Sequence, residues 1–151
     1  MKRLCMGVAM VCLAAPAAMA QEHFSEGPVW ECNSYRTKQE HFDEYMKYLR
    51  GNLLPQMQEA KKAGLMLDQK VFLHTPENPS DPDVVICTQH ASFAKALDYN
   101  AADDAKSKEI AAKFFKTTDE DKQREMSAKR YAFRDFLGTS YYREVSLKPL
   151  Q

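Results

Sequence analysis

The residues able to carry chemistry are few and scattered. His41, His74 and His90 fall in the body of the chain and His23 lies near its start. An imidazole titrates close to neutral pH and serves as general acid, general base or metal ligand. No two of these histidines stand four apart, the spacing that brings two ligands onto one helical face, so no metal site is expected. His90 follows the apolar run Val84-Val85-Ile86-Cys87 at a strand end, and it is the candidate catalytic residue. The carboxylates of Asp103-Asp104 and Asp119-Glu120-Asp121 stand ahead of helical stretches. There they complement exposed amides and the helix dipole, a duty that needs no acid–base chemistry. The chain has no GxSxG nucleophile elbow and no glycine-rich phosphate loop. Its five glycines are too few for a dinucleotide fingerprint, and no cofactor is expected.

The cysteines bear on where the protein works. Residues 1–20 combine basic Lys2 and Arg3, an apolar run from Leu4 to Ala15 and the small-x-small site Ala18-Met19-Ala20, the pattern of a secretory signal peptide. The expected location is therefore periplasmic or secreted. Cys5 and Cys12 would leave with the signal, and Cys32 and Cys87 would stay. In an exported chain the two can form a disulfide. Both also lie in strand-like runs, where two buried free thiols fit equally well. Neither has a CxxC or CxxCH context, which speaks against thioredoxin-like redox chemistry and c-type haem attachment.

Charge excludes a further class. Loss of Lys2 and Arg3 would tip the balanced 21 basic and 21 acidic residues to a formal net charge of about −2 on ordinary ionisation. The charges are interspersed, with no basic block to hold a phosphate backbone, so no nucleic acid is expected as partner. The leader is too short for a membrane span, and no span is expected after cleavage.

Elements that could position a site follow from periodicity. Residues 21–27 read as a flexible mature terminus and 28–151 as one domain. Val29 to Tyr35 reads as a first strand, with Thr37 and Glu40 as a capping box for the helix that follows. Phe42, Tyr45, Met46, Leu49, Leu53 and Met57 form one apolar helical stripe, which Gly51 and Pro55 should kink or break near 51–55. Gly64 is placed as the glycine after a helix end. Leu65–His74 and Asp83–Gln89 read as strands around a proline-rich turn. Ser92 caps a further helix. A charged helix-compatible stretch over 119–136, with a capping box at Thr117 and Glu120, should end at Gly138. Ser140–Leu147 is the last strand. The order βαββαβ predicts an α+β fold: a four-stranded antiparallel sheet with helices on one face. Apolar and aromatic residues on both sides of the strands predict a second copy on the other face, a homodimer.

On Val29-Trp30-Glu31-Cys32 leading into Tyr35-Arg36-Thr37, on Phe42-Asp43-Glu44-Tyr45, Val84-Val85-Ile86, Ser92-Phe93 and Tyr142-Arg143-Glu144-Val145, the chain resembles the dimeric α/β-barrel superfamily of ferredoxin-like folds. That group includes antibiotic-biosynthesis-type monooxygenases, haem-degrading monooxygenases, muconolactone isomerases and many small proteins without assigned activity. The haem-degrading branch uses an Asn on the first strand, a Trp on the third and a His on the second long helix. Asn33 matches the first, the other two have no counterpart, and haem degradation is not expected. The resemblance implies a pocket between sheet and helices, with Asn33, Tyr35, His90 and Tyr141 as ligand-binding residues and a small apolar or aromatic molecule as ligand. Three functions are carried forward: an exported homodimeric small-molecule-binding or accessory protein, a cofactor-independent monooxygenase or isomerase using His90, and an interaction module with a filled core.

Overall fold

Strand-forming runs and helical stripes alternate along the chain, and a computed structural model, which describes residues 23–150, places them as follows. The elements are β1 (Phe24–Thr37), α1 (Phe42–Tyr48), α2 (Leu54–Lys62), β2 (Asp68–Leu73), β3 (Val84–His90), α3 (Phe93–Leu97), α4 (Ala101–Phe115), α5 (Glu120–Ala128) and β4 (Arg134–Leu147). The strands make one antiparallel sheet in the order β2-β3-β1-β4, an α+β architecture compatible with the ferredoxin-like arrangement. The expected signal at 1–20 lies outside the described residues. No helix among them is long and apolar enough to cross a membrane.

The continuously apolar run of β3 takes an inner position, between β2 and β1. Val84 and Ile86 pack with Tyr45 and Leu49 in the main core cluster, flanked by Tyr35, Met46, Leu53 and Phe133. Burying an aliphatic side chain of this size contributes roughly 1.5–3 kcal/mol. Tyr45 and Leu49 come from the stripe that Pro55 interrupts. The chain meets that interruption without breaking. A π-helical turn over Leu49–Leu53 joins α1 to α2, with the Leu54 amide donating to the Leu49 carbonyl. Pro55 has no N–H to give, and the wider turn avoids its clash with the preceding carbonyls. Side-chain amides back up the altered ladder: Asn52 Nδ2 donates to the Tyr48 carbonyl at 3.0 Å and Gln56 Nε2 to the Asn52 carbonyl at 2.9 Å. The end of α2 follows expectation. Gly64 has φ +74, and the Leu65 and Gly64 amides bond back to Ala60 and Lys61, a Schellman ending. Ser92 likewise caps α3, its hydroxyl accepting from the Lys95 amide at 3.2 Å.

Four expectations need correction. Residues 24–26, placed in a loose terminus, pair with Leu147, Ser146 and Val145, so β1 begins at Phe24 rather than Val29. Thr37 does not cap a helix with Glu40. It ends β1, and its amide and hydroxyl both donate to the Asp83 carboxylate, the amide at 2.9 Å. The cap of α5 is Asp119, which accepts from the Asp121 and Lys122 amides, instead of Thr117. The helix read over 119–136 stops at Ala128. After a 3-10 turn over Lys129–Ala132 the chain is already strand at Arg134. Gly138, expected to end that helix, lies inside β4 at φ +150.

That glycine marks a bulge with a structural consequence. Ser34 pairs with Gly138 but Tyr35 pairs with Phe136, so Leu137 is an extra residue on β4. An inserted residue reverses which side chains face inward. Before the bulge Arg134 and Phe136 share the face of Thr37 and Tyr35; after it Thr139, Tyr141 and Arg143 share the face of Asn33, Glu31 and Val29. This is the face that meets the helices.

The opposite face carries the disulfide. Cys32 and Cys87 are direct cross-strand partners and are bonded, S–S 2.00 Å, which resolves the choice between a bridge and free thiols. The bridge links residues 55 apart in sequence. Loop-closure entropy for that length is worth roughly 4 kcal/mol in the unfolded-chain model, and native bridges in small domains are worth about 2–5 kcal/mol. The double variant C32S/C87S should therefore lose about 2–4 kcal/mol of stability in urea titration, while the oxidised wild-type chain should lose a similar amount on adding reductant.

Candidate functional site

A cavity of about 200 Å³ opens between the sheet and the helices. The sheet gives it Asn33 and Tyr35 from β1, Gln69 from β2, Ile86 from β3 and Arg134 from β4. The helical side gives Tyr45, Tyr48, Leu49, Leu53 and Gln56, with Phe115, Ser127 and Arg130 from the later helices. The π turn helps form the wall, since Leu49 and Leu53 bound it.

Arg134 dominates the chemistry. It is the one buried charged residue among those described, 7% exposed. Its guanidinium carbon lies 3.4 Å from the centre of the Tyr35 ring and 5.3 Å from that of Tyr45. No carboxylate among the described residues pairs with it, and its Nε has no hydrogen-bond partner. Arg130, the other charged residue on the wall, is also a cation with an unpartnered Nε. Burial pulls the pKa of Arg134 down, an effect the facing Tyr45 and Tyr35 oppose and Arg130 reinforces. Tyr45 is fully buried and its hydroxyl has no partner. Burial holds the pKa of Tyr45 and of Tyr35 above the ordinary value near 10, with Arg134 working against the shift in both.

Beside the cavity a polar chain runs along the same sheet face. Thr139 Oγ1 donates to Asn33 Oδ1 at 2.7 Å, and Asn33 Nδ2 donates to Glu31 Oε1 at 3.2 Å. His90 Nε2 lies 3.4 Å from Glu31 Oε2 without a hydrogen bond to it, and both ring nitrogens are buried and unpartnered, the side chain being 12% exposed. Burial, then the charge of Glu31, raises the pKa of the neighbouring Tyr141. The four residues proposed from sequence thus divide. Asn33 and Tyr35 are on the cavity wall. His90 and Tyr141 lie on the same sheet face but not on that wall, both neighbouring Glu31. The other histidines are elsewhere: His74 Nδ1 meets the Pro82 carbonyl at 2.9 Å, and His41 precedes α1. No cluster of metal-ligating side chains occurs among the described residues.

Arg130 and Arg134 are not marked as site residues by the sequence. Both fall in a stretch so charged that it reads as a solvated helix. Tyr45 read as purely apolar, because helical periodicity reports the buried ring and says nothing of the hydroxyl. The one available signal was the aromatic setting of Arg134, between Phe133 and Asp135-Phe136, which suits a strand better than a charged helix.

No family model matches the chain, nor does any curated protein or solved structure.

The buried tyrosines give the fold a definite alkaline limit. Below pH 10 both the native and the unfolded chain keep these phenols protonated, and their contribution to stability is fully present. Above pH 10 the unfolded tyrosines ionise while the buried ones hold their protons. The native state then binds more protons, and stability falls as pH rises. Denaturant midpoints should drop from about pH 10 upward, and Tyr45→Phe should flatten the drop while leaving the protein at least as stable at pH 7. Its hydroxyl makes no hydrogen bond, and removing an unpaired buried polar group recovers about 1 kcal/mol or is neutral.

Proposed function

We propose that this chain is an exported, homodimeric small-molecule-binding protein of the dimeric α/β-barrel type, and that its ligand occupies the cavity between sheet and helices. The observation that carries this reading is a buried arginine whose Nε has no hydrogen-bond partner and a fully buried phenol whose hydroxyl has none, both facing one cavity. Buried polar groups in native proteins are nearly always satisfied, and an orphan calls for a partner of some kind. A concave site in which apolar and aromatic walls meet convergent polar groups is a common form of ligand site. A filled interaction module would have neither the space nor the orphans.

The exported state is supported by the Cys32–Cys87 bridge, since disulfides persist in oxidising compartments. The dimer is supported by the sheet face that carries the bridge. Trp30, Phe72, Val85 and Tyr142 alternate onto it, with Phe72 48% and Tyr142 57% exposed. Lys70 lies 5.2 Å from the Trp30 ring centre, and Glu144 accepts from Trp30 Nε1 at 3.0 Å. An apolar patch edged by charges of both signs is self-complementary under a two-fold axis.

One observation favours a second reading, a cofactor-independent monooxygenase or isomerase. A carboxylate beside an imidazole, as with Glu31 and His90, is the usual way to orient a general base. Binding is preferred because His90 is not on the cavity wall.

Native mass spectrometry of protein purified from its own host tests the reading. The expected spectrum is a dimer of chains without the leader, each holding a small extra mass. Ser127→Phe, which fills the cavity from α5, should remove that mass and keep the dimer. A monomer without extra mass would contradict the proposal. Turnover that His90→Ala abolishes, with dimer and retained ligand unchanged, would favour the enzyme.

A further inference from the structure

We propose that the ligand of this cavity is a small organic carboxylate with a single aromatic ring, its carboxylate held by Arg134 and its ring by the tyrosine and leucine wall. This rests on the cavity being a ligand site and goes on to name what it takes.

Both charged side chains on the wall, Arg130 and Arg134, are cations, and no Asp or Glu lines it. Arg134 is more than nine-tenths buried and has no carboxylate partner among the described residues. Removing a guanidinium from water costs several kcal/mol, which a carboxylate in good geometry offsets. The Tyr35 and Tyr45 rings offset only part of it. A planar guanidinium fork presents paired N–H donors to a planar carboxylate. The Tyr45 hydroxyl, likewise without a partner, adds one more donor to the same anion.

Size and lining decide the rest. A cavity of 150 Å³ is enough to hold benzene, so about 200 Å³ has room for one ring and a carboxylate. Tyr35, Tyr48, Leu49 and Ile86 supply flat and branched apolar surface for that ring. A phosphate monoester is a poorer match. It carries close to two negative charges at neutral pH, and of the two wall cations only Arg134 is buried, Arg130 being half-exposed.

Titration calorimetry at pH 7 separates these terms with four probes: benzoate, benzamide, formate and phenyl phosphate. Benzoate is expected to bind tightest. Benzamide keeps the ring without the charge and should bind roughly ten- to a hundredfold more weakly, the worth of a charge-assisted hydrogen bond. Formate keeps the charge without the ring and should also be weaker. In R134M the preference for benzoate over benzamide should fall to about twofold or less, while R134K should restore only part of it. Tyr45→Phe, which leaves Arg134 in place, gives an independent variant and should weaken benzoate more than benzamide. Equal binding of benzoate and benzamide to the wild type would overturn the carboxylate assignment and leave the ligand site standing. Tightest binding of phenyl phosphate would overturn the assignment in favour of a phosphate ester. No binding of any probe at millimolar concentration would overturn both the assignment and the site.

Discussion

A guanidinium held away from water without a carboxylate is the constraint around which this protein is arranged. Arg134 could have faced solvent at almost no cost, as most arginines do. Instead it lies against two tyrosine rings at the wall of a cavity. The rings return on the order of 2 kcal/mol when the contact is desolvated, against a burial cost of several. Tyr45 adds an unbonded hydroxyl to the same place. Two groups that a purely structural core would satisfy or replace are kept at one site. Stability given up at one point of a fold is the usual mark of function.

Three devices hold that arrangement. The bulge at Leu137–Gly138 turns Arg134 and Phe136 to the helix side while leaving Thr139 and Tyr141 there too; without the extra residue one pair or the other would face outward. The π turn at Leu49–Leu53 carries the helical stripe past Pro55, so that Tyr45, Leu49 and Leu53 all meet the cavity. The Cys32–Cys87 bridge ties β1 to β3 from the opposite face. Asn33 and Ile86, one pair along, then sit on two strands that cannot separate. The bridge stabilises the unit without occupying the side on which the cavity opens.

Much of this was legible in the chain, and the parts that were not share a cause. Val84-Val85-Ile86 declared a central strand, Gly64 and Ser92 declared helix boundaries, and Pro55 declared an irregularity in the helical stripe; each acts through local sterics or a local hydrogen bond. The pocket position of Asn33 and Tyr35 was implied by the resemblance, and the structure puts both on the cavity wall. What failed depended on partners far along the chain. Thr37 and Glu40 make a good capping box, but Asp83 takes the Thr37 hydroxyl and amide. Residues 24–26 have no strong strand signal and become strand because β4 is long enough to pair with them. Lys129 to Asp135 is charged enough to read as exposed helix, yet tertiary packing draws Arg134 inside. A buried cation is the case that residue-type burial trends handle worst, and it is the residue the site depends on.

The cost assigned to Arg134 can be measured directly. Urea unfolding of Arg134→Met at pH 7, in the absence of added ligand, compares the buried charge with an apolar side chain of similar length. If the guanidinium is kept for binding, the variant should be as stable as the wild type or more stable, by up to a few kcal/mol. A loss of more than about 2 kcal/mol, of the kind seen when a paired buried charge is broken, would mean that Arg134 holds the fold together and is not waiting for an anion.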